Sequence, residues 1–274
     1  MRKVFVIAAT TLQEMLREKL FLIVLFIAVV LLGLSILLGA LSFSEQQRIL
    51  ANLGYTAIEI ASVGISLFSG AFLISKEIEK QTLLLVLARP ITRDQFLMGK
   101  VTGIIILNTM LVLALGLVLY FLLGHEVSFL NHLIILASLW FEAMIVLSLV
   151  IFFSVVVRPI LALLMSLAIL MVGVWVPDLQ FFAEKSKDIF FINSVKVVSW
   201  MTPNLYRFNW KSYYFLELGV GVQDVIWMVA HCFGWILIVF VFSCIIFKSN
   251  FDRQLFYHFF FFYTSRLFKL YADA

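Results

Sequence analysis

Apolar residues run along this chain in six long blocks, at residues 20–42, 54–75, 101–123, 133–157, 160–176 and 225–247. Most exceed the roughly 20 residues that a helix needs to cross about 30 Å of hydrocarbon. Backbone groups in lipid must bond within their own segment, so each block is expected to be a helix. The fifth block is short and is expected to end at Pro177. The pattern predicts an all-α integral membrane protein. Residues 1–19 form an interfacial helix, 20–247 a six-helix transmembrane domain and 248–274 an aromatic tail.

Composition strengthens that picture. The hydrophobic share is 64%, the charged share 13% and the mean hydropathy +1.09. A soluble domain is roughly half apolar and a quarter charged. Charge then gives an orientation. With the N-terminus inside, the inner segments hold fourteen of the twenty Lys and Arg and the outer segments six. That excess places both termini and residues 76–100 in the cytoplasm. The net charge of +4 is accounted for by topology and gives no reason to expect nucleic-acid binding. Cys232 and Cys244 share the sixth block, about 18 Å apart along a helix, too far for a disulfide.

Within residues 1–19, Val4, Ile7, Ala8, Leu12, Met15 and Leu16 share one face at helical spacing. Arg2, Lys3, Gln13, Glu14, Arg17 and Glu18 lie mostly elsewhere, which suits a helix lying in the inner interface. Small residues recur every fourth position at Ser62, Ser66 and Gly70, and again at Gly99 and Gly103. Such stripes let helices approach closely, within a subunit or across a dimer seam. Pro159 suits the first turn of the fifth helix. Residues 178–224 are expected to be outer-surface structure that dips partly into the interface, because Trp175, Trp200, Trp210 and Trp227 flank or occupy them.

The charged interruption at 76–100, KEIEKQTLLLVLARPITRDQFLMGK, reads as helix, sharp turn, helix. A residue before proline avoids the helical region, so ARP ends the first helix. Thr92 can cap the next, with Gln95 as capping-box partner and Ile91 and Phe96 as a hydrophobic staple. This segment resembles the signature of ABC-2 type permeases, the membrane subunits of ATP-binding-cassette transporters. The matching features are Glu77 and Glu79, Thr82, the run at 83–87, Pro90-Ile91-Thr92-Arg93, and Gly99-Lys100. Gln81 stands where the family usually has Gly. The six-block layout is similar to the subgroup of nitrous-oxide-reductase maturation and gliding-motility permeases.

The resemblance implies an exporter subunit in a bacterial or archaeal cytoplasmic membrane. A second permease copy, as homodimer or heterodimer, and separate ATPase subunits would be its partners, with membrane lipid around it. ATP and magnesium would bind to the ATPase, leaving this chain without a cofactor. The helix at 1–19 would be the connector helix, and residues 76–99 would dock on the ATPase through Glu77, Glu79, Thr82, Arg89, Pro90, Thr92, Arg93 and Lys100. Residues 178–224 would form paired outer helices at the exit.

The chain's own chemistry excludes several classes. It has no G-x-x-x-x-G-K-[ST] phosphate loop, so ATP hydrolysis is expected on another chain. HEVSF opens like a zinc-protease helix but has Phe129 where the second His is required. No G-x-S-x-G elbow is present, and an enzyme is not expected. Two acids fall inside apolar blocks. Glu59 is expected near the outer end of the second, where it can reach water. Glu142 is roughly 15 Å deep in the fourth, with His231 at similar depth as a candidate partner. A carboxylate there is either a neutral packing acid or a pathway residue. The second option leaves a proton-coupled secondary transporter as an alternative, and a non-transporting assembly factor as another.

Overall fold

In the computed structural model, the structure describes residues 2–42, 45–72, 93–124, 128–211, 221–243 and 245–246. Among the described residues it is all-helical, and six helices are long and apolar enough to cross a membrane. This is the architecture of a multi-pass membrane protein.

Helix α1 spans Arg2–Leu16, α2 Lys19–Leu41, α3 Gln46–Phe72 and α4 Arg93–Leu123. Helix α5 spans Phe129–Val156, α6 Pro159–Lys185, α7 Ile189–Met201 and α8 Val222–Ser243. A 3-10 turn at Leu205–Phe208 follows α7. Pro159 opens α6 in the first turn, where its missing N–H costs nothing.

The core lies between α3, α4 and α5. Helix α5 is the central element, with 78% of its most apolar window buried, against 17% for α2 and for α8. Helix α2 buries only Val24, Ala28, Leu32, Ser35 and Gly39, a stripe at helical spacing that faces α3. Its other faces are apolar and exposed, as lipid-facing surface should be.

Three expectations are corrected. Helix α3 begins at Gln46, well before residue 54, so Glu59 sits at mid-helix and not near an end. Helix α6 does not stop at Pro177 but continues to Lys185. Proline is tolerated inside membrane helices when neighbours pack around the break. Here Ala183 in the continuation and Val195 in α7 are both buried, and the two helices pack together. The third correction follows: residues 178–185 are helix and not loop.

Helix α7 turns back along α6. Asp188 caps it, accepting from the Phe190 backbone N–H at 2.9 Å. By residue 203 the chain has returned to Gly173, where a Cβ would stand 2.6 Å from the Pro203 carbonyl oxygen. That point is about 18 Å below the end of α6 by helical rise. The segment 203–211 therefore re-enters the bundle, and Leu205 and Phe208 are fully buried.

Candidate functional site

Two polar ties hold the bundle, one at its α1 end and one at the mid-height of α3. The first joins α1 to the start of α4. The expected face of α1 is the one in contact, with Ala8 and Met15 buried; Leu16 is exposed, and Thr11 takes a buried place instead. Its hydroxyl donates to the Ile7 carbonyl at 2.8 Å, so burial leaves it satisfied. Gly99 and Gly103 lie against this face. A Cβ on Gly99 would meet Ile7 at 2.7 Å, and one on Gly103 would meet Thr11 at 2.7 Å and the Ala8 carbonyl oxygen at 2.8 Å. Lys100, between them, donates to Glu14 at 3.1 Å with its side chain only 9% exposed. Both small-residue stripes are thus used inside the chain: Gly70 packs under Val150, and Ser62 and Ser66 meet Asn108.

The second tie is formed by Lys211, carried by the re-entrant segment. Its ammonium pairs with the Glu59 carboxylate of α3 and reaches the Thr56 hydroxyl at 3.5 Å. Glu142 of α5 is buried, and the charges acting on it are those of Glu59 and Lys211. Among the described residues Lys211 pairs with Glu59 alone, and Glu142 lies within reach of the field of that pair. His231 does not join them, which corrects the expected Glu142–His231 pair. Its ring faces Phe208 and Trp235, and its Nε2 has no hydrogen-bond partner among the described residues. The neighbouring Cys232 instead meets the Phe141 carbonyl.

A polar seam runs along the core helices, on both sides of the Glu59 tie. Asn108 donates to the Ser62 carbonyl at 2.9 Å and to the Ser66 hydroxyl at 2.8 Å. The Tyr55 hydroxyl and His132 Nδ1 are 2.8 Å apart, and His132 Nε2 is 3.0 Å from the Gly116 carbonyl. Trp140 donates to Thr109 at 2.9 Å. Each bond joins two of the three core helices, which suits a bundle without a hydrophobic drive between helices in lipid.

Of the residues singled out from sequence, Lys100, Glu59, Glu142 and His231 are placed. Arg93 is the first residue of α4. Glu77, Glu79, Thr82, Arg89, Pro90 and Thr92 lie outside the described residues, as does the tail 248–274. Asn108 and His132 were missed, although a polar residue within or beside an apolar run is itself a signal. Lys211 gave no local signal. Among the described residues no His, Cys, Asp or Glu group could hold a metal ion. No protein-family model matches the chain, and no curated protein matches it in sequence.

Proposed function

We propose that this chain is the permease subunit of an ABC-2 type exporter, with the α1 end of the bundle in the cytoplasm. A separate ATPase would dock on residues 76–99, and a second permease copy would complete the transporter. The supporting observation is the seat of α1 on α4. Helix α4 is the element into which residues 76–92 lead, and α1 clamps its first turns at Gly99, Lys100 and Gly103. A push on the charged segment would therefore move α1 and α4 as one piece, and α4 bonds directly to α3 through Asn108. The α6–α7 return at the other end suits an exit gate.

The test is reversal of Glu77 and Glu79 together, since a single exposed ion pair is worth only about 0–1 kcal/mol. The double variant should insert normally but lose co-purification of the ATPase, or lose transport-stimulated hydrolysis. Wild-type values for both measurements would remove the assignment.

The buried Glu142 near the Glu59–Lys211 pair favours a second reading, a proton-coupled secondary transporter. In that case Glu142→Gln would abolish transport while assembly stays normal. In the exporter Glu142→Gln should transport at near the wild-type rate, and Glu142→Lys should fail to assemble, because the buried site would then hold a second cation beside Lys211.

A further inference from the structure

The re-entrant segment and the first turns of α8 enclose a cavity of about 250 Å³. Arg207, Asn209 and Trp210 line one side, and Asp224, Trp227 and Met228 the other. A second cavity of about 560 Å³ adjoins it along α8, sharing Arg207 and Trp227 and reaching Ala230 and His231. Neither Arg207 nor Asp224 is in a salt bridge among the described residues, and the two do not pair with each other. One cavity thus has in its lining a cation and an anion that form no salt bridge among the described residues, together with Trp210 and Trp227. From Trp227 to His231 is about 6 Å along α8, so the second cavity extends the first along the helix, with Arg207 still in its lining.

We propose that these joined cavities bind the headgroup of a zwitterionic phospholipid. The site's charges are complementary to that headgroup and to few other membrane components. The lipid phosphate would accept from the Arg207 guanidinium, a charge-assisted bond of the kind arginine makes best. The headgroup ammonium would donate to the Asp224 carboxylate and lie near the Trp227 face, which attracts cations. Trp227 stands five residues into a membrane-length helix, the depth at which tryptophan meets headgroups. An anionic lipid would satisfy Arg207 but place nothing cationic against Asp224. The site is independent of ATPase docking.

The experiment uses the full chain purified in detergent. Native mass spectrometry follows binding of short-chain phosphatidylethanolamine, with short-chain phosphatidylglycerol and inorganic phosphate as comparison probes. Phosphatidylethanolamine should bind more tightly than phosphatidylglycerol, and inorganic phosphate should not displace it. Arg207→Gln should weaken both lipids by about tenfold, the value of one charge-assisted bond. Asp224→Asn should weaken phosphatidylethanolamine alone and erase the discrimination. Both residues are exposed, so neither variant threatens the fold. The proposal is overturned if both variants bind phosphatidylethanolamine as the wild type does. It is equally overturned if phosphate displaces the lipid, or if the two lipids bind alike and Asp224→Asn changes nothing.

Discussion

Two levels of the bundle are fastened in different ways. At the α1 end, the α4 backbone lies directly against Ile7, Ala8 and Thr11: Gly99 and Gly103 leave no room for a single added carbon. Such a contact is all-or-none, because a close-packed seam either fits or is forced apart. At mid-height, a long lysine side chain reaches from a folded-back segment to Glu59. A contact of that type can be released and remade without moving any helix. The α1 seam is therefore the stiffer contact, and the Lys211 tie the more easily released one.

Three substitutions probe that contrast, in falling order of expected effect. Gly103→Val should be the most damaging, at about 3 kcal/mol, because Thr11 and the Ala8 backbone cannot both retreat. A disulfide crosslink engineered between α1 and α4 would report it; undiminished crosslinking and thermal stability would mean that the seam is loose. Lys211→Met should cost about 2 kcal/mol by leaving the part-buried Glu59 carboxylate without its base. The exchange Glu59→Lys with Lys211→Glu should recover most of the loss in melting temperature. If it recovers none, the two levels do not differ in the way described. Glu14→Gln should have the smallest effect, about 1 kcal/mol or less, because the Glu14 side chain is 39% exposed and water screens the pair. A larger loss than that of Lys211→Met would reverse the ranking of the two ties.

Much of the fold was legible in the sequence, because spanning lipid is a local property of length and apolarity. The six spans were found, as were the amphipathic face of α1 and the place of Pro159. Element ends were less legible. The start of α3 at Gln46 lies in polar sequence, where hydropathy has no voice. Pro177 signals a helix end by local sterics, yet packing of α7 on α6 overrides it. The candidate site was the least legible part. Glu59 and Lys211 are 152 residues apart, and no periodicity connects them. Pairing Glu142 with His231 used depth along two helices, and depth says nothing of which way a helix faces. The resemblance in residues 76–100 concerns positions that mostly fall outside the described residues.

Helix α6 has a mechanical consequence at Pro177. Proline has no N–H, so the carbonyl four residues earlier receives no helical hydrogen bond from it. That carbonyl belongs to Gly173, which also has no side chain and lies against Pro203 and Leu205 of the re-entrant segment. At one level, then, the rod lacks a bond of its own and leans on the re-entrant segment. A beam notched at one point bends there first, and its two halves stay straight. Load applied to the tip formed by α6 and α7 would turn about residues 173–177 as a lever about its fulcrum. The same rotation would carry the arm bearing Lys211, so bending stiffness at a single turn sets how far that arm swings.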